Sequence, residues 1–319
     1  MEKNYEQIIN LAIDNSFKIA MSQGFNLNEE IFNYVKRGKK VRSKSLLMWI
    51  AAYNPKLLED DRVLNVTASI EIAHRSTLIS DDLIDGQKER NGYPTIELTL
   101  GKSLAILSAP FLQALAIEIC PPEFRRIINT AIQNTLEGQI LQENQEFTTL
   151  KTSVSENANI IELKSGSIGN AALQIANNFT TQQTKKNPDK ICLNMARAYQ
   201  ICNDLADIGG WLNNRTSVLP DDIQNRTLTF PILNAIQRVS IKDKKLLLDF
   251  IHGRNANTDI VCSILQKSDT YSQSMSFIKK YICAATNIFA NILYKGNNRD
   301  QFIYHVESIW IKNYLKTGE

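Results

Sequence analysis

His74-Arg75-Ser76-Thr77-Leu78-Ile79-Ser80-Asp81-Asp82-Leu83-Ile84-Asp85 is the stretch on which the reading of this chain turns. Asp81 and Asp85 stand four residues apart, so on a helix they project from one face. Two carboxylates held that close repel each other unless a cation lies between them. Hard oxygen donors suit magnesium, which keeps part of its water and also binds phosphate oxygens. His74 falls on the same face two turns back. Upstream, apolar or small residues recur at Val63, Val66, Ile70, Ala73 and Thr77, the spacing of an amphipathic helix. Acids at a helix C-terminus oppose the helix dipole, so a merely solvated acidic end explains the pair poorly. The segment that follows, Gly86 through Arg90-Asn91-Gly92-Tyr93-Pro94-Thr95, reads as a charged loop that returns a cation to the carboxylates.

A second acidic stretch lies far along the chain, Tyr199-Gln200-Ile201-Cys202-Asn203-Asp204-Leu205-Ala206-Asp207. Asn203 and Asp207 are again four apart, at the end of an apolar helix, and an amide oxygen can ligate magnesium without charge. Two such helices facing each other would hold about three ions around one diphosphate. Lys39 and Arg42, in Gly38-Lys39-Lys40-Val41-Arg42, are three apart at a helix start, where anions are favoured. Lys164, in Leu163-Lys164-Ser165-Gly166, sits among small residues that let a ligand approach.

Helical periodicity recurs at 104–119, 127–141, 160–176, 191–206, 230–239, 244–252 and 274–294, and no alternating strand pattern appears. Pro110 interrupts or starts a helix, Pro121-Pro122 makes a turn, 177–189 is a polar connector, and 209–227 is a long loop of the kind that often serves as a lid. The expectation is one all-α domain over residues 1–319, a large helical bundle around a central apolar pocket. Trp49, Trp211 and Trp310 read as packing residues. The 319 residues carry 36 basic and 33 acidic side chains, net +3, too even for a nucleic-acid binder. The start has no apolar core of a signal peptide, and no stretch reaches the length of about 20 apolar residues that spans a bilayer. Five scattered cysteines without a CxxC pair fit free thiols in a reducing cytoplasm.

Taken in order, these segments resemble the trans-prenyl diphosphate synthase family, whose fold is the isoprenoid synthase bundle. The family's GKxxRP is similar to residues 38–43, its first aspartate-rich helix to 74–85, its RRGxPT to 90–95, its KT to Lys164-Ser165, its FQxxDDxxD to 199–207, and its T-L-P to Thr229-Phe230-Pro231. The resemblance implies a homodimer with two substrates in one bundle. Asp81 and Asp85, supported by Asp82, and Asn203 with Asp207 would hold magnesium. Arg90, Lys164 and Gln200 would hold the allylic diphosphate, and Lys39, Arg42 and His74 would hold isopentenyl diphosphate. Ser76 and Thr77, the small residues before the first aspartate, imply a pocket for twenty carbons or more.

The chain also departs from the family. Asn91 replaces the second arginine of RRG, Ser43 the proline, Asn203 the first aspartate of the second motif, and Arg226-Thr227 the G-K before T-L-P. A lysine expected in the lid is absent. Each change except the proline weakens diphosphate binding or magnesium charge balance. Besides elongation with isopentenyl diphosphate, the residues therefore leave open three readings. One is a class I terpene cyclase acting on geranylgeranyl or longer diphosphate, since Asn203-Asp204-Leu205 opens like the NSE motif. The others are prenyl transfer to a peptide and an inactive partner subunit.

Overall fold

The computed structural model describes residues 4–25, 28–143, 154–179, 189–213, 215–292 and Tyr304. The helices run α1 (Tyr5–Ser22), α2 (Glu29–Lys36), α3 (Val41–Tyr53), α4 (Asp61–Ile84), α5 (Ile96–Leu100), α6 (Lys102–Ile119), α7 (Arg125–Glu143), α8 (Val154–Ile161), α9 (Ser167–Asn178), α10 (Asp189–Leu212), α11 (Asp221–Gln224), α12 (Phe230–Arg238), α13 (Ile241–Ile251), α14 (Thr258–Lys267) and α15 (Thr270–Ile292). A π-helical turn, Glu162–Gly166, joins α8 to α9. The all-α bundle expected from the periodicity is what forms. Trp310 and the segments 180–188 and 305–319 lie outside the described residues.

α4 is the axis of the bundle. Asp60 caps it, its Oδ1 accepting from the Arg62 N–H at 2.8 Å. The residues of the expected apolar stripe, Val63, Val66, Ile70, Ala73 and Thr77, are all buried. Other faces of α4 are buried too, against α1, α3, α6, α7 and α9. Each such aliphatic side chain withdrawn from water contributes about 1.5–3 kcal/mol. Ser69 ties α4 to α6 by donating to the Ala116 carbonyl at 2.7 Å. Trp49 and Trp211 are buried packing residues.

Three local expectations differ from what forms. The charged loop after Asp85 contains a short antiparallel ladder, Glu89 opposite Pro94 and Arg90 opposite Tyr93. Its turn is Asn91-Gly92, with φ of 54° and 78°, the left-handed pair that a two-residue hairpin requires. Pro110 lies inside α6, which continues through it. Gly209 and Gly210 do not end α10 but lie within it. A Cβ at Gly209 would touch the Tyr271 ring at 3.4 Å and one at Gly210 would meet Thr216 at 3.3 Å, so both glycines serve close packing.

α6 is apolar and long enough, by length and composition, to cross a membrane, and one third of it is buried. Its inner side packs along α4. Leu104, Ile106 and Leu107 remain exposed on its outer side.

Candidate active site

A cavity of about 1310 Å³ opens between α3, α4, α7, α8, the π turn and α10. Asp81, Asp85, Arg90, Lys164, Gln200, Asn203, Lys39, Arg42, His74 and Thr77 all line it. Side chains brought from distant segments thus share one chamber. Its wall mixes this polar cluster with Leu78, Leu136, Ile140, Ile160, Ile161 and Ile168. The pocket is therefore not apolar throughout, as the sequence reading expects; the apolar surface is one part of it.

Asp81 is held from two sides. Lys164 Nζ lies 2.8 Å from Oδ1 and Arg90 Nη2 donates to Oδ2 at 2.8 Å. Arg90 Nε also donates to Asp82 Oδ1 at 2.5 Å, and the Tyr34 hydroxyl donates to Asp82 Oδ2 at 3.3 Å. Asp82 is buried and absent from the cavity wall. Burial raises its carboxyl above the ordinary range, against the pull of Arg90. It orients Arg90 rather than facing a ligand. Partial desolvation by the surrounding cavity wall, and then the Asp81 charge, raise the exposed Asp85 carboxyl. A divalent cation between Asp81 and Asp85 would relieve that repulsion.

The local sequence explains how Lys164 arrives. The π turn inserts an extra residue into the α8–α9 helix, a feature frequent at functional sites. It presses on α7 at Gly138, where a Cβ would stand 2.6 Å from the Lys164 backbone N. Lys164 Nζ also donates to Gln142 Oε1 at 3.2 Å. The sequence reading missed Gly138, although a glycine inside a helical pattern signals close approach.

On the second stretch, Asn203 faces the cavity and its buried Oδ1 has no hydrogen-bond partner among the described residues. Asp207 is exposed and lies off the cavity wall, its Oδ2 accepting the Asp222 N–H at 3.2 Å. Asp222 itself lines the cavity, so Asp207 stands at its rim. Gln200 is a brace: Nε2 donates to Asp204 Oδ1 at 2.8 Å, and Oε1 accepts from Ser165 Oγ at 3.3 Å. The other Asp204 oxygen accepts the Phe230 N–H at 3.1 Å, fixing the start of α12. Burial pushes the Asp204 carboxyl up to about 6.

The basic wall is built on α3 and α4. Arg42 Nη1 donates to His74 Nε2 at 2.8 Å and Nη2 to the Ser165 carbonyl at 3.3 Å. His74 thus accepts and is neutral; burial and the Arg42 charge hold its pKa well below the ordinary value. It orients Arg42 instead of adding a charge. A depressed folded pKa adds stability above about pH 6.5, lost as the unfolded chain takes up a proton below it. Between about pH 7.5 and 5.5 the melting midpoint of the protein should therefore fall more than that of His74→Gln. Parallel thermal melts check this; equal slopes would contradict it.

Ser76 is not part of the wall. It is fully buried, and its Oγ donates back to the Ala73 carbonyl at 2.7 Å. A phenylalanine there would overpack α4 rather than shorten the cavity. Thr77 does line it. A second groove, about 390 Å³ along α15 at Tyr271, Met275 and Lys279, has no carboxylate on its wall.

The donor set fits magnesium with diphosphate. Asp81 and Asp85 are one turn apart, Asn203 offers an unused oxygen, and the same chamber supplies cations. Among the described residues no three His, Cys, Asp or Glu side chains gather into a self-sufficient cage. Magnesium bound by few carboxylates plus substrate phosphates needs none.

Comparison with known proteins agrees with this arrangement. The family described as polyprenyl synthetase matches residues 25–267. A short chain isoprenyl diphosphate synthase of Methanocaldococcus jannaschii is 26% identical over 276 residues, covering 77% of this chain and 83% of that one. A geranylgeranyl diphosphate synthase of Saccharolobus solfataricus is 23% identical over 284 residues, 80% of this chain and 85% of its own. The crystal structure of geranylgeranyl pyrophosphate synthase from Lactobacillus brevis superposes with a TM-score of 0.80 at 18% identity, covering 97% of each chain, and so shares the fold. With the family match spanning most of its length and the two motif helices lining one cavity, this chain belongs to the polyprenyl synthetase family.

Proposed function

We propose that the protein is a magnesium-dependent prenyltransferase that ionises an allylic diphosphate and condenses it with isopentenyl diphosphate to a product of twenty carbons or more. The observation that carries this is the single cavity joining Asp81, Asp85 and Asn203 to the basic wall of Lys39 and Arg42. Asp81, Asp85 and Asn203, with Asp207 at the rim, would hold magnesium, which would neutralise the diphosphate as it leaves. Arg90 and Lys164, both already turned toward Asp81, are placed to transfer their hydrogen bonds to diphosphate oxygens. The apolar wall from Leu136, Ile140, Ile160, Ile161 and Ile168 would shield the allylic cation from water. The double bond of the second substrate attacks that cation, and the departing diphosphate accepts the proton. No protein nucleophile is needed.

The test is product analysis with magnesium and, in turn, farnesyl and geranylgeranyl diphosphate, each with and without isopentenyl diphosphate. Longer diphosphates formed only with the second substrate support elongation. Hydrocarbon formed without it means cyclisation, the reading favoured by a hairpin turn that carries Asn91 in place of a cation. No turnover means a partner subunit.

Thr77→Phe should shorten the products, because Thr77 stands on the wall where Ser76 does not. Unchanged chain length on thin-layer analysis would count against this role. The exposed side of α6, with Leu104, Ile106 and Leu107, supports a homodimer: a patch of this kind on a folded chain marks an interaction surface. Leu107→Glu should shift the mass measured by light scattering from dimer to monomer; a dimer that persists would place the interface elsewhere.

A further inference from the structure

The basic wall is shaped by two charged residues of α4 that have no role assigned above, Glu71 and Arg75. They lie one turn apart on α4, paired through Arg75 Nε and Glu71 Oε1 at 3.4 Å, and both are buried. Arg75 holds one end of the loop between α2 and α3. Its Nη2 donates to the Arg37 carbonyl and lies in the space where Gly38 lacks a side chain. Gly38 has φ of 88°, the left-handed region that favours glycine. The Tyr34 ring covers the guanidinium at 5.9 Å. Glu71 holds the other end, its Oε2 accepting from Ser43 Oγ at 2.9 Å in the first turn of α3. Lys39 and Arg42 project between these two fixed points.

The charges of the wall do not cancel. Arg42 has neutral partners, His74 and the Ser165 carbonyl, and no carboxylate among the described residues forms an ion pair with it. Arg42 is half-buried and feels the Glu71 carboxylate only from beyond ion-pair distance, so an anion at the cavity wall would complete its charge balance. Arg75 lies about 9 Å along α4 from Asp81, at 1.5 Å per residue, so the wall is separate from the acidic cluster.

We propose that Glu71 and Arg75 are positioning residues: a buried clamp that holds residues 37–43 in the form that receives a metal-free diphosphate monoester. This rests on the two-substrate reading above and deepens it. Glu71 joins the loop to α3 and Arg75 joins it to α4; both border the cavity, but the side-chain atoms that make these contacts are turned to the loop rather than to the open space. Lysine cannot replace Arg75, because one ammonium lacks the planar fork that reaches the Arg37 carbonyl and Glu71 together.

Calorimetry with two probes tests the clamp: isopentenyl diphosphate in EDTA, and farnesyl thiolodiphosphate with magnesium. Arg75→Gln should weaken the first by about ten- to a hundredfold, as expected for a displaced binding loop, and leave the second within about twofold. Its KM for isopentenyl diphosphate should rise while that for the allylic substrate holds. Arg75→Lys should not rescue. Removing one member of a buried pair can unfold a protein, so Glu71→Gln/Arg75→Gln, which removes both charges together, is measured alongside with its melting midpoint. Isopentenyl diphosphate bound as tightly by either variant as by the unaltered protein overturns the clamp, and so does equal loss of both probes. If the unaltered protein binds only the magnesium-dependent probe, the two-substrate reading falls and the clamp with it.

Discussion

Asp81→Ala should lower turnover of any allylic diphosphate by roughly three orders of magnitude while leaving the helical circular dichroism intact. Two losses combine. The first is a carboxylate at the position where a magnesium–diphosphate complex would bind, and removing one electrostatic contact aimed at developing charge commonly costs about a hundred- to a thousandfold. The second is organisation. Asp81 is the shared partner of Lys164 at 2.8 Å and Arg90 at 2.8 Å. Without it, two cations face each other with nothing between them, and each can turn away. Arg90 keeps Asp82 as a partner, so Lys164 is the more affected. Asp81→Asn keeps the shape and loses the charge, and separates the two contributions. Steady-state kinetics with excess magnesium measure both variants. Alanine at full rate would end the argument that this carboxylate serves magnesium.

Gly138→Ala should destabilise the protein by about 1–3 kcal/mol, the range for overpacking a tight contact. The added methyl would stand 2.6 Å from the Lys164 backbone N, 2.9 Å from Leu163 Cβ and 3.0 Å from Lys164 Cα. Two of these atoms are backbone, so a rotamer change cannot relieve the clash. Either α7 moves out or the π turn shifts. Both separate Lys164 from Asp81, so activity should fall with stability. A control distinguishes the effects: Gly24→Ala meets no atom within 4 Å, and its cost comes from the φ of 94° alone. Chemical denaturation gives the free-energy change. A Gly138→Ala protein as stable and active as the parent would show that α7 and the π turn are not in tight register.

Much of the site is legible in the chain because its parts are local. Asp81 with Asp85, and Asn203 with Asp207, are pairs one helical turn apart, and helix geometry alone puts each pair on one face. The apolar spacing that leads into Asp81 likewise needs only the period of 3.6 residues, and the residues it marks are the buried ones. The hairpin was also there to be read, since Asn91-Gly92 is the strongest two-residue turn signal. The pair Glu71 and Arg75 was another local signal, two charges four apart in a helix otherwise read as apolar.

What sequence alone determined, then, was the all-helical class, the family resemblance and the placing of Asp81 and Asp85 on one cavity, since these depend on residues a few positions apart, whereas Asp207 stands off the wall that Asn203 faces. Tertiary structure decided which distant groups meet: Lys164 on Asp81, Arg75 in the space left by Gly38, Gln200 turned to Asp204, Ser76 packed behind the wall and Thr77 on it. The reason is physical. Helical period fixes direction around one axis, but contacts between helices depend on where glycines let backbones approach and where an inserted residue rotates a side chain, and neither is set within a single turn.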